Sequence, residues 1–304
     1  MASLGYQGSV SRDTYFHQNP LVGPATQGIA FNPQISGGDF WDLSGRGNYN
    51  AMLAELKHNF SHGLMADGQF TWSKCMDTSS APFSLQPYPF NSGLDYGRCD
   101  YNVGKAFKLY GVWQPVFFHG QGWKEKILDG WSLSGIFNIH SGFPWTPMVN
   151  VTGGNTYCSQ CGYGSLYPSA YLGGAGGSTS IDSFKTVAQS NFPNGGAAYF
   201  SPTTYPAGMF GTTLPPAPAV HRNSWNLPGY KGVDLTLAKG FGLPKVPVLG
   251  ENARIELRMD AYNLFNNLNL NPNSISNNIG SGNFGTITNA LAARVVTLGA
   301  RFSF

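Results

Sequence analysis

Apolar and polar residues alternate with a period of two along several stretches of this chain, which is the repeat of a β-strand with two unlike faces. From Arg254 to Asp260 the charged residues Arg254, Glu256, Arg258 and Asp260 are separated by Ile255, Leu257 and Met259. The last residues repeat the pattern. Val296, Leu298, Ala300, Phe302 and Phe304 fall on one side, and Thr297, Gly299, Arg301 and Ser303 on the other. Eight stretches read as strands: 2–11, 48–60, 64–74, 104–117, 128–141, 232–242, 253–265 and 294–304. They predict an all-β, antiparallel chain. No run of 18 apolar residues occurs, so a transmembrane helix is not predicted.

The spacing of the strands adds a second regularity. Short connections follow the second, fourth and sixth strands (61–63, 118–127 and 243–252), while long ones follow the first, third, fifth and seventh. Short periplasmic turns alternating with long extracellular loops are the pattern of a transmembrane β-barrel. In a soluble sheet the apolar face would be core; in such a barrel it meets lipid and the polar face lines the interior. The barrel reading is favoured by the terminal aromatic residue, with apolar residues at every second position before it. Both charge signs also crowd the polar side, which suits a wet lumen. The row Arg254, Glu256, Arg258 and Asp260, with Asp234 and Arg301 on neighbouring strands, is then expected to face inward. Slipping the seventh strand by one residue would turn four charges toward lipid, at about 2–4 kcal/mol for each Arg near the midplane and less for Asp or Glu.

Composition agrees with this class. Only 11% of residues are charged, against about 25% in typical soluble domains, while 14% are aromatic and 40 are Gly. A net charge of +3 without a Lys/Arg run gives no reason to expect nucleic acid as a partner. The opening residues Met1 to Tyr6 have neither a basic nor an apolar signal region, so no signal peptide is expected there.

Motifs with possible chemistry have plainer explanations. Gly280-Ser281-Gly282-Asn283-Phe284-Gly285 spells a dinucleotide fingerprint but follows an Asn/Ser-rich loop, without the strand and helix that the fingerprint needs. Cys158 and Cys161 form one C-x-x-C with no second ligand pair, so a zinc site is not expected. Cys75 and Cys99 lie near the ends of the loop after the third strand. In an oxidising compartment four cysteines favour disulfides, and of the three possible pairings Cys75–Cys99 with Cys158–Cys161 ranks first. His140 falls on the inward side of the fifth strand and reads as a hydrogen-bonded lumen residue. Trp72, Trp113, Trp131, Phe265 and Phe302 lie near strand ends, as an interfacial aromatic girdle does. Nothing assembles a nucleophile, base and oxyanion site, so neither an enzyme nor a cofactor is expected.

Several segments resemble one family in order along the chain. They are Asn48-Tyr49-Asn50-Ala51 to Phe60-Ser61-His62-Gly63-Leu64, Phe70 to Lys74, Leu128-Asp129-Gly130-Trp131 to Ile136, and Ser141-Gly142-Phe143-Pro144-Trp145-Thr146-Pro147. Phe200-Ser201-Pro202, Arg222-Asn223-Ser224, Pro228 to Leu235, Asn263-Leu264-Phe265-Asn266 and the terminal Leu298 to Phe304 continue the series. Together they resemble the C-terminal barrel strands of TonB-dependent outer-membrane receptors of the Oar-like subgroup. The resemblance implies that residues 1–304 are the C-terminal portion of a larger barrel of about 22 strands, lacking the plug domain. It also implies uptake of a large, unidentified ligand, engagement of TonB only through the missing plug, and contact with outer-membrane lipid. Leu298, Phe302 and Phe304 would be read by the barrel-assembly machinery. The alternative reading is a self-contained eight-stranded barrel with a structural or adhesive role.

Overall fold

The computed structural model describes residues 1–18, 40–80, 92–117, 122, 127–150, 165–166, 197–198, 221–243, 253–278 and 281–303. Phe304, Cys158 and Cys161 lie outside them. Eight long strands make one antiparallel sheet: β1 (Ala2–Gln18), β2 (Phe40–Ser61), β3 (Leu64–Asp77), β4 (Lys105–Trp113), β5 (Trp131–His140), β6 (Tyr230–Gly242), β7 (Arg254–Tyr262) and β8 (Val295–Ser303). Each pairs with the next in sequence, and the two-residue strand Gly97–Arg98 adds to the end of β3. β1 and β8 are the two edges, and the sheet does not close on itself.

Local chemistry explains where the strands end. β2 and β3 are joined by His62 and Gly63, both with positive φ (50° and 76°), as a two-residue hairpin loop requires. A Cβ at Gly63 would stand 2.1 Å from the Gln114 carbonyl oxygen, because the Gln114 amide donates to the Gly63 carbonyl at 2.6 Å. β4 stops at Trp113, short of the predicted residue 117, two positions before Pro115, which has no N–H to donate. The first hairpin runs further than the pattern suggests. Beyond Ser11 the pairing passes through two irregularities and resumes at Phe16↔Asp42 and His17↔Trp41. Those irregularities break the alternation, so residues 12–18 and 40–47 read as loop in the sequence although they are strand.

Residues directly opposite in register share a face, so the pairing shows what each face carries. Across β3 to β8 one row reads Leu64, Trp113, Leu133, Leu237, Met259 and Leu298. Across β1 to β6 another reads Ala2, Leu56, Gly68, Leu109, Phe137 and Val233. The opposite face carries Ser3, Glu55, Gln69, Lys108, Asn138 and Gly232 in one row. Another row there contains Ser134, Thr236, Asp260 and Thr297. Leu53, Met65, Val112 and Ile136 interrupt the polar face, which is mainly hydrophilic. On the apolar face Leu4 and Leu298 keep 74% and 77% of their surface exposed. Within the described residues no second layer covers that face. All three short connections lie at one end of the sheet and all four long ones at the other.

Candidate functional site

Two arrangements could serve a function: the polar wall of the sheet and a buried cluster where the long loops leave it. In the wall, Arg258 and Asp260 stand two residues apart on β7 and so share a face. The Arg258 guanidinium donates to both Asp260 oxygens at 2.9 Å through Nε, with a further ion-pair contact at 2.8 Å. Thr236 Oγ1 donates to the same carboxylate at 2.5 Å. Glu256 stands opposite Arg301, and Arg254 opposite Ser303. Asp234 is also on this face, but its carboxylate accepts the Asn263 backbone N–H at 2.8 Å. It therefore secures the turn after β7. Tyr110 donates to Asp67 Oδ2 at 2.7 Å, and Asp67 is only 2% exposed.

The loop between β3 and β4 folds back over this wall. Cys75 and Cys99 are joined by a disulfide. The Asn102 side chain accepts the Cys75 backbone N–H at 2.7 Å, and Ser73 Oγ donates to the Val103 carbonyl at 2.7 Å. The space left between loop and wall is a cleft of about 290 Å³, lined among others by Tyr49, Gln69, Thr71, Tyr101 and Lys108. Two phenols, an amide, a hydroxyl and an ammonium can hydrogen-bond a polar ligand and stack on its rings. At the same end of the sheet, His140 stacks on Tyr230 with 5.2 Å between ring centroids. Its Nδ1 lies 2.8 Å from the Ser141 carbonyl, which can only accept, so that nitrogen carries the proton.

Where the long loops leave the sheet, the connections after β3 and after β5 are fastened together by buried polar groups. Arg98 donates to the Asn223 carbonyl (2.6 Å), Asn226 Oδ1 (2.6 Å) and the Trp225 carbonyl (2.8 Å). Arg222 pairs with Asp77 and reaches Asp100 at 3.3 Å. Asn223, in a left-handed conformation with φ 58°, donates to the Arg98 carbonyl at 2.7 Å and to Asp100 at 2.6 Å, and accepts from Thr146 Oγ1 at 3.1 Å. Burial lowers both guanidinium pKa values to about 10, so both remain charged at neutral pH and need their acceptors. Gly142 allows the closest approach: a Cβ there would stand 1.7 Å from the Leu227 carbonyl oxygen. Among the described residues no group of three His, Cys, Asp or Glu could hold a metal ion.

The family model described as outer membrane beta barrel domain matches residues 1–297. The chain belongs to the outer membrane β-barrel domain family. The barrel domain therefore resides in the outer membrane. The outer membrane transporter YddB from Escherichia coli is a similar solved structure, at 9% identity and a TM-score of 0.45. That likeness covers 98% of this chain and 30% of YddB, so the chain spans under a third of that transporter's length. No curated protein matches the chain.

Of the residues singled out in the sequence, Asp234, Arg254, Glu256, Arg258, Asp260 and Arg301 all lie on the polar face of the barrel domain, in three adjacent strands. Leu298 and Phe302 lie on the apolar face of β8. Cys75 and Cys99 lie at the loop end, far along the sheet from that row. The cluster of Arg98, Arg222 and Asn223 is not among the residues that the sequence picks out as a site. Its one signal is the Arg222-Asn223 pair inside a recurring segment, which says nothing of a partner more than 120 residues away.

Proposed function

We propose that the domain is part of the wall of a TonB-dependent, Oar-like receptor barrel, with its long loops on the cell exterior and its short turns in the periplasm. It supplies lipid-facing wall, lumen surface and ligand-contacting loops for the uptake of a large solute, and it is not a catalyst. TonB acts through a plug domain elsewhere in the protein, and the barrel-assembly machinery reads Leu298, Phe302 and Phe304. The observation that carries this reading is the two-faced antiparallel register that runs across eight strands and ends in two open edges. An unpaired backbone group in hydrocarbon costs several kcal/mol, so β1 and β8 each need a further strand beside them. The ordered chain of motifs from Asn48 to Phe302 supports a receptor of this kind. The cleft beneath the β3–β4 loop gives the lumen a surface for hydroxyl-rich or anionic groups.

The test combines the substitutions Gly5→Cys and Gly299→Cys, on the two edge strands, where an added Cβ meets nothing within 4 Å. In membranes of cells making the native protein, a receptor barrel yields no direct bond between the two introduced thiols, and formaldehyde links the protein to TonB. A disulfide between positions 5 and 299 within a monomer that shifts on unboiled electrophoresis, with no TonB adduct, would identify a self-contained eight-stranded barrel and overturn the proposal.

A further inference from the structure

Side chains on the polar face differ in whether the protein itself uses them. Asp260 is held by Arg258 and Thr236, Asp67 accepts from Tyr110, Glu55 accepts from Ser3 Oγ at 3.2 Å, and Ser73 donates to Val103. In the cleft beneath the β3–β4 loop the opposite holds. Tyr49, Gln69, Thr71, Tyr101 and Lys108 all line it. Among the described residues none of these five side chains has a hydrogen-bond or ion-pair partner. Water satisfies them in the free protein, and a ligand that makes the same bonds can take its place.

The register gives the cleft a length and a direction. Lys108 stands opposite Gln69 at one end, Ala106 opposite Thr71 in the middle, and Tyr49 opposite Cys75 at the other. From Gln69 to Cys75 the strand runs about 20 Å at the usual rise per residue. The roof over the Cys75 end is fixed. The Asn102 N–H donates to the Cys99 carbonyl at 2.9 Å and closes a turn that carries Tyr101. The Cys75–Cys99 disulfide and the Cys75–Asn102 and Ser73–Val103 hydrogen bonds tie that turn to β3. Tyr101 therefore keeps 62% of its surface exposed on a fastened backbone, and it loses little freedom when a ligand settles on it.

The chemistry of the lining narrows what fits. β3 is paired with β2 on one side and β4 on the other, so an extended peptide cannot add to it as a strand. Lys108 carries the one formal charge among the lining residues, too little for a chain of phosphates. Sugar rings carry C–H bonds on their faces and hydroxyls around their rims. Phenol faces complement the former, while the amide of Gln69 and the hydroxyl of Thr71 both donate and accept, as sugar hydroxyls do. An ammonium adds a place for a carboxylate.

We propose that this cleft binds a short stretch of an acidic saccharide chain lying along β3. Tyr101 and Tyr49 stack on its rings, Gln69 and Thr71 bond its hydroxyls, and Lys108 holds a carboxylate at the far end. The site presupposes the receptor reading above, in which the polar face lines a lumen, and gives that receptor's solute a chemical class.

The experiment uses the native protein purified in detergent and titrated calorimetrically with trigalacturonate and with its neutral counterpart, galactotriose. A hydrogen bond to a charged group is worth about ten-fold or more in affinity. Trigalacturonate is therefore expected to bind saturably, and galactotriose about ten-fold more weakly. Lys108→Gln removes that difference by weakening trigalacturonate alone, and Lys108→Arg keeps it. Tyr101→Ala weakens both saccharides several-fold, while Tyr101→Phe retains most of the binding. Lys57→Gln, on the same face but outside the cleft, changes neither. Lys108 and Tyr101 are exposed, so these variants test binding and not folding. Absence of saturable binding overturns the site. So does wild-type affinity in both Tyr101→Ala and Lys108→Gln, or a loss in Lys57→Gln equal to that in Lys108→Gln. Equal affinity of the native protein for the two saccharides overturns the assignment to an acidic chain. TonB takes no part in these titrations, so a failure to bind leaves the edge-strand thiol result standing. A closed eight-stranded monomer that still binds trigalacturonate would instead overturn the receptor reading alone.

Discussion

Replacing Leu109 by Arg tests the central physical claim, that hydrocarbon touches the apolar rows. Leu109 is the middle residue of the nine in β4. Nine residues at about 3.3 Å each, tilted about 40°, rise about 23 Å, close to the roughly 25 Å apolar band of an outer-membrane barrel. Leu109 therefore sits near the bilayer midplane, between Gly68 and Phe137 in its row. An arginine there costs about 2–4 kcal/mol, falling to about 0–1 kcal/mol near the interfaces. Leu133 is level with Trp113 at the short-turn end of the strands, so Leu133→Arg falls in the lower range. Gln69→Arg, on the polar face between Glu55 and Lys108, changes stability by about 0.5 kcal/mol or less. Equilibrium unfolding of the protein from phospholipid vesicles, followed by tryptophan fluorescence over a denaturant titration, measures all three. The expected order of cost is Leu109→Arg, then Leu133→Arg, then Gln69→Arg. A Leu109→Arg protein within about 0.5 kcal/mol of wild type would refute the reasoning, because a side chain in water tolerates that change.

The loop cluster gives three further predictions. Arg222→Met leaves the Asp77 carboxylate buried without its partner and lowers stability by about 3–5 kcal/mol, measured by the same unfolding titration. Arg222→Lys recovers little of that loss, since one ammonium cannot span Asp77, Asp100 and Ser80 as the planar guanidinium does. Replacing Cys75 and Cys99 by Ser opens a covalent loop of about 25 residues, worth about 3 kcal/mol in the chain-entropy picture. The same variant speeds proteolysis between 78 and 104. Unequal alkylation of Cys75 and Cys99 with and without reductant, read by mass spectrometry, reports the bridge itself. Gly142→Ala forces a Cβ against the Leu227 carbonyl and separates the paired two-residue strands Pro144–Trp145 and Trp225–Asn226. It costs more than about 1–3 kcal/mol, seen as a lowered unfolding midpoint.

Most of the sheet was legible because period two is a property of short windows. Arg254 to Asp260 and Val296 to Ser303 declare their faces within seven or eight residues, and the pairing of β7 with β8 puts Glu256 opposite Arg301 as the alternation requires. The extension of β1 to Gln18 was hidden because the irregularities near Thr14 and Phe16 break the alternation just where the strand continues. Asp234 shows a different limit. Its position in the row was readable, but the use of its carboxylate on the Asn263 N–H depends on a turn closing 29 residues later. The loop cluster was the least legible part. Arg98 meets Asn223, Trp225 and Asn226 across more than 120 residues, and no periodicity connects such partners.

The shared hydrogen bonds among Arg98, Thr146, Arg222 and Asn223 carry a consequence for how such surfaces diversify. These side chains come from two connections, the one after β3 and the one after β5, yet each completes the bonding of another. Transplanting one connection from a relative would strand buried donors and acceptors in the one left behind. Recombination at this end of the molecule therefore has to exchange the two connections as a single cassette, or else vary only the residues that lie outside the knot.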